Sequence, residues 1–146
     1  PDAEDAITSN AGWDTIKHKD FLVDVIAEFK ANNIRTSIFV DPISKMIEGA
    51  AATGTDRIEL YTESFAEKFA DGDKKEAVKP YARCAELAHQ LGLGVNAGHD
   101  LSLDNIEFFK NEVPFVDEVS IGHALIAEAL YLGLEETISR YLKKLQ

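Results

Sequence analysis

Leu93-Gly94-Val95-Asn96-Ala97-Gly98-His99-Asp100-Leu101-Ser102-Leu103-Asp104 is the stretch that decides the fold. It opens as a short apolar run, passes a glycine and a histidine, and continues into helical spacing through Leu103, Ile106 and Phe109, which reads as strand, turn, helix. Gly98 carries no side chain and so permits a close backbone approach. His99 then falls at the carboxyl end of a strand, where open parallel sheets and βα barrels both hold their chemistry.

The same unit recurs on either side. Leu22, Val25, Ile26 and Phe29 predict a first helix from about Lys19 that stops at Asn32-Asn33, and Ile34 to Val40 predicts a strand ended by Asp41-Pro42. A helix through Ile43, Met46, Ile47 and Ala50 stops near Gly54, and Arg57-Ile58-Glu59-Leu60-Tyr61 is a second strand. Thr62 to Ala70 predicts a short helix, and Asp71-Gly72-Asp73 a turn. Asp73 and Glu76 resemble a capping pair for a long helix to Leu91, which Pro80 would kink if it lies beyond the first turn. Downstream of the opening stretch, Val116 to Ile121 predicts a fourth strand, Gly122-His123 a turn and Ala124 to Tyr131 a helix. A last helix begins near Leu134, with Ile138, Tyr141, Leu142 and Leu145 on one face.

A helix followed by four strand–helix units is an α/β pattern, and two architectures fit it: a doubly wound sheet and half of an eight-stranded (β/α)8 TIM barrel. The chain opens on Pro1 rather than methionine, and residues 1–16 look like the tail of an earlier strand–loop–helix unit. The expectation is therefore a single α/β domain over residues 1–146, the C-terminal half of a barrel, with residues 1–16 as an active-site loop of a length often found in lids.

A net charge of −11 argues against binding a nucleic-acid backbone or an anionic membrane surface, both of which call for a basic face. Small anions remain compatible, since helix-start N–H groups bind phosphate without net positive charge. Cys84 is the single cysteine, so there is no disulfide framework, and a reducing, cytoplasmic setting is the simplest reading. No apolar run approaches the length of a membrane span.

Three polar groups fall in or after the strands: Glu59 in the second, His99 after the third and His123 after the fourth. In neighbouring parallel strands they would converge at one end of the sheet. A histidine near its unperturbed pKa exchanges protons at neutral pH, and a nearby carboxylate orients it or stabilises positive charge, chemistry suited to addition and dehydration at carbonyl compounds. Plainer readings stand beside these. His99 could be solvated, Glu59 could face outward, and His123 could merely cap its helix. Gly122-His123 also opens a helix after the final strand, where βα barrels hold phosphate. Glu59, His99 and His123, with Asp100 as a spare, form a two-histidine, one-carboxylate set, but their spacing lacks a dedicated metal motif and no metal is expected. His18 and His89 read as solvated. Trp13 is an aromatic lid or a packed loop residue.

Val95-Asn96-Ala97-Gly98-His99-Asp100-Leu101, Ser120-Ile121-Gly122-His123-Ala124 and Arg57-Ile58-Glu59-Leu60-Tyr61 together resemble the pyridoxine 5′-phosphate synthase family, in order and at compatible spacing. The resemblance implies a βα barrel of roughly 240 residues, of which this chain is the C-terminal part, with the family's other acid–base residues, a histidine and a glutamate, and further substrate-binding residues in the first half of the barrel. It implies condensation of 1-deoxy-D-xylulose 5-phosphate with 3-amino-2-oxopropyl phosphate, with no redox cofactor or metal. By motif, His99 matches the family's proton donor and Glu59 the acid that stabilises charged intermediates. Gly122 and His123 match the aminoketone phosphate site, and Thr8 a residue that binds the deoxyxylulose phosphate. Asp100 stands where a glycine can serve that phosphate, so its backbone N–H is the implied contact and its carboxylate has to point away. The implied partners are small phosphorylated substrates, the other half of the barrel and further copies of the same protein. The competing reading is a self-contained flavodoxin-like domain that binds an anion without catalysis.

Overall fold

The computed structural model describes residue 2 and residues 4–146. Helix α1 (Lys19–Ala31) is followed by β1 (Ser37–Val40), α2 (Ser44–Ala51), β2 (Arg57–Leu60), α3 (Glu63–Ala70), α4 (Lys74–Gln90), β3 (Gly94–Gly98), α5 (Ile106–Glu112), β4 (Val116–Ser120), α6 (His123–Leu132) and α7 (Leu134–Lys144). The strands form one sheet in the order β1-β2-β3-β4, every pair parallel. A flavodoxin-like sheet reverses direction at a switch point. This one advances one strand at a time, as a barrel does.

The two faces of the sheet differ. Ile38, Val40, Ile58, Leu60, Val95 and Ala97 are buried against the helices in one apolar core with Ile47, Phe65, Tyr81, Ile106 and Phe109. The alternate residues Phe39, Glu59, Asn96 and Glu118 lie in register on the other face. That face is polar: Arg57 meets Asn96 at 3.0 Å and Asp117 at 3.2 Å, and Arg35, just before β1, pairs with Glu118 on β4 at 2.9 Å. A pair joining the two outermost strands closes across a concave surface. One apolar outer face and one polar, concave inner face are the cross-section of half a βα barrel, so the α/β half-barrel expectation holds.

Several boundaries differ from the sequence reading, each for a local reason. β1 starts at Ser37, not Ile34, because the Ile34 N–H still donates to Phe29 at the end of α1 and Asn33 takes a left-handed φ of 59°. Asp73 makes no side-chain cap on α4, and Glu76 pairs with Lys79 instead. Pro80 does lie beyond the first turn, yet α4 continues past it to Gln90. On α7 the buried residues are Thr137 and Tyr141, whereas Ile138 and Leu142 are exposed. The proposed apolar face is therefore displaced, since the Tyr141 hydroxyl turns inward to donate to Glu128 at 2.6 Å.

Among the described residues, the opening loop touches the open edge of β1 through a single backbone bond. The Trp13 N–H donates to the Phe39 carbonyl at 2.8 Å on the outer edge of β1, and the Trp13 ring packs on His18 and Phe21. Trp13 is thus a packed residue, and His18 is half-buried beneath it. His89 is exposed but stacks on Phe115 with ring centroids 3.8 Å apart. Residues 1 and 3 of the loop lie outside the described residues.

Candidate active site

His99 sits at the carboxyl end of β3 with φ of 60°, a left-handed conformation uncommon for a residue other than glycine and concentrated at functional sites. The local structure compels it. Gly98 packs so tightly on β4 that a Cβ there would run into the Ser120 carbonyl oxygen, and the same carbonyl accepts the His99 N–H at 3.0 Å. The expected close approach at Gly98 is therefore made to the neighbouring strand.

Thr62 supplies the second support. It stands at the start of α3, but its buried hydroxyl does not cap that helix. It donates to the Gly98 carbonyl and accepts the Asp100 N–H, pinning the backbone on both sides of His99. The imidazole then lies against two aromatic rings from the inner face, Phe39 at 5.8 Å and Tyr61 at 5.7 Å, the latter edge-on. Tyr61 donates its hydroxyl to Glu63 at 2.6 Å, and burial with that neighbouring carboxylate holds its own ionisation far above the ordinary value.

Glu59 occupies the inner face of β2, opposite Asn96 on β3. Burial pushes its carboxyl above the ordinary value, opposed by a hydrogen bond from the Ser120 hydroxyl at 3.5 Å and by the positive charge that His99 can carry. Glu59 and His99 thus share one electrostatic neighbourhood at the carboxyl ends of adjacent strands. Asp100 follows His99, and its carboxylate reaches the His99 Nδ1 at 3.3 Å. Its backbone N–H is engaged within the protein, by the Gly98 carbonyl at 2.8 Å and the Thr62 hydroxyl.

Gly122 and His123 begin α6 two residues beyond Ser120, with open space around the Gly122 Cα and His123 exposed. They follow the carboxyl end of β4, the strand that pairs with β3. Thr8 lies in the exposed opening loop, and no side-chain hydrogen bond of the described residues ties it to this cluster. Phe39, Tyr61, Thr62 and Ser120 were not singled out in the sequence. The period-two alternation of β1 and β2 would have put Phe39 and Tyr61 on the face of Glu59. Nothing comparable marks Thr62 or Ser120, whose roles depend on strand register. Among the described residues, no three of the His, Cys, Asp and Glu side chains gather as a metal ion would require.

The sequence model of the family described as pyridoxal phosphate biosynthesis protein PdxJ matches residues 1–146. The chain belongs to the PdxJ family. A pyridoxine 5′-phosphate synthase of Christiangramia forsetii is 73% identical over 146 residues, covering 100% of this chain and 61% of the relative. The proteins of the same name from Flavobacterium johnsoniae and Cytophaga hutchinsonii are 65% and 58% identical over the same coverage. The chain thus spans about 61% of the length of these PdxJ relatives, which agrees with a part of a barrel rather than all of one.

Proposed function

We propose that the intact protein carrying this chain is a pyridoxine 5′-phosphate synthase, condensing 1-deoxy-D-xylulose 5-phosphate with 3-amino-2-oxopropyl phosphate and releasing phosphate and water. The observation that carries this reading is the His99–Glu59 pair, a strained histidine and a partly desolvated carboxylate at the carboxyl ends of adjacent parallel strands, in a chain that matches the PdxJ family throughout. Ring closure needs proton donation to leaving oxygen atoms and stabilisation of cationic imine intermediates. His99 supplies the proton, and Glu59 supplies the negative charge without needing to move.

Gly122 and His123 receive the phosphate of the aminoketone at the N–H groups of the α6 start, with the positive helix end in support. Thr8 reaches the deoxyxylulose phosphate when the opening loop closes, and closure keeps water from the reactive intermediates. The remaining acid–base groups come from the part of the barrel that the relatives have beyond this chain. On the same reading the protein works in the cytoplasm as a homo-oligomer.

The test is turnover by the intact protein with both phosphorylated substrates. His99→Asn should lower the rate by about 10²–10⁴-fold, the usual worth of a positioned general acid, and turnover equal to wild type would sink the assignment.

A further inference from the structure

We propose that Asp100 is a positioning residue for His99: its carboxylate accepts the Nδ1–H of the imidazole, fixing the ring's tautomer and leaving Nε2 as the nitrogen that faces substrate. This inference rests on the reading of His99 as the proton donor, and it reverses the role expected for position 100, where a backbone contact to a substrate phosphate was implied.

Three features of the structure carry it. The Nδ1 of His99 and the Oδ2 of Asp100 stand 3.3 Å apart, both side chains mostly shielded from solvent. That is longer than the usual 2.9 Å or so, as catalytic hydrogen bonds often are before substrate binds. Secondly, the Asp100 backbone is clamped. Its N–H is held by Gly98 and Thr62, and its carbonyl accepts the Asn105 side-chain amide at 3.3 Å, Asn105 being buried and itself fixed by the Ser102 N–H at 2.8 Å. A residue held at both ends has no freedom to present its N–H to a ligand. Its side chain is what remains available.

Thirdly, the other charged groups around Asp100 are engaged or of the wrong sign. A cleft of about 510 Å³ runs past Asp100 and is bordered by Lys74 and Asp104. The Lys74 ammonium sits over the Phe69 ring, 4.1 Å from its centroid, and Asp104 is another anion. On the opposite side His99 is faced by Glu59 from β2 and by the Phe39 and Tyr61 rings, none of which hydrogen-bonds Nδ1. Among the described residues, the imidazole is therefore the one cation-capable group paired with the Asp100 carboxylate. An aspartate hydrogen-bonded to Nδ1–H selects the tautomer and orientation of a working histidine, a role seen in unrelated hydrolytic triads.

The experiment uses the intact protein labelled with 15N-histidine, with the His99 signals assigned by their loss in His99→Asn. Wild type should show Nδ1 protonated at the pH where the ring is neutral. Asp100→Gly should shift the proton to Nε2 and lower kcat about tenfold, with KM for each substrate within about twofold. Asp100→Asn introduces an amide that can donate to Nδ1, and it should likewise shift the proton to Nε2 and lower kcat at least as much as Asp100→Gly. An unchanged His99 tautomer in Asp100→Gly overturns the proposal, and so does a changed tautomer with unchanged kcat. If the wild-type protein fails to condense the two substrates while the tautomer still follows Asp100, the functional reading falls and the hydrogen bond stands.

Discussion

At the scale of single residues, the site depends on one position that admits no side chain. Gly98→Ala would force the Ser120 carbonyl away from β3, and that carbonyl also holds the His99 N–H. The substitution should cost about 1–3 kcal/mol, the usual penalty for overpacking, in denaturant unfolding of the intact protein, and turnover should fall with it. Glu59 gives a prediction with a definite sign. Burial raises its carboxyl above the ordinary 4.5. Its contribution to folding is therefore full below about pH 4.5 and is lost as pH rises through the raised value. Glu59→Gln should match wild type in stability at pH 4, exceed it at pH 7 and be slower in turnover, so equal unfolding midpoints at pH 7 would contradict the desolvation argument. Glu59 and His99 were legible because each is a polar residue interrupting or ending an apolar strand. Thr62 and Ser120 were not, since a hydroxyl at a strand end looks like any other until the register between β2, β3 and β4 is known.

At the scale of elements, the order and type of every helix and strand followed from periodicity, whereas the ends were set by bonds between segments distant in sequence. Asp56, in the turn before β2, is the clearest case. It accepts the Thr36 N–H at 2.8 Å and the Thr36 hydroxyl at 3.0 Å, and it pairs with Lys30 of α1 at 2.9 Å. One carboxylate thus ties the end of α1, the entry to β1 and the turn into β2. These donors hold it well below the ordinary 3.8, at about 2. A lowered carboxylate stabilises the fold above its unfolded value, and that contribution is lost as pH falls from about 4 towards 2. Asp56→Ala should destabilise the protein by about 1 kcal/mol at pH 7, a figure reduced for its partial exposure. The deficit should shrink between pH 4 and pH 2 in acid unfolding monitored by circular dichroism, and a constant deficit would mean that the ion pair contributes nothing. The bulge in β4 has the same long-range character: Asp117 accepts the Val95 N–H at 2.9 Å in place of a backbone partner, and this shifts the register between Val95 and Asn96.

At the scale of the molecule, the half-barrel shows in what it leaves uncovered. Among the described residues, β1 and β4 each pair with a strand on one side only. The Gly12–Trp13 segment covers a single carbonyl of β1. Beside these edges lie large apolar side chains: Phe21, Phe29 and Ile34 next to β1, and Ile126, Leu130 and Tyr131 on α6, with Leu130 82% and Tyr131 90% exposed. Helix α6 is the most apolar of the helices and has no buried residue. Open strand edges next to apolar surface recruit further strands. A polypeptide of these 146 residues prepared alone should therefore self-associate, sedimenting above 16.1 kDa with a mass that rises with concentration. Supplying the remaining part of the barrel as a second polypeptide should convert it to a discrete complex, because the same edges would then be paired and the polar inner face around Arg57 and Glu118 enclosed. A concentration-independent monomer, well folded by near-ultraviolet circular dichroism, would mean that the sheet is complete as it stands and that the concave face is an open surface rather than one side of a barrel interior.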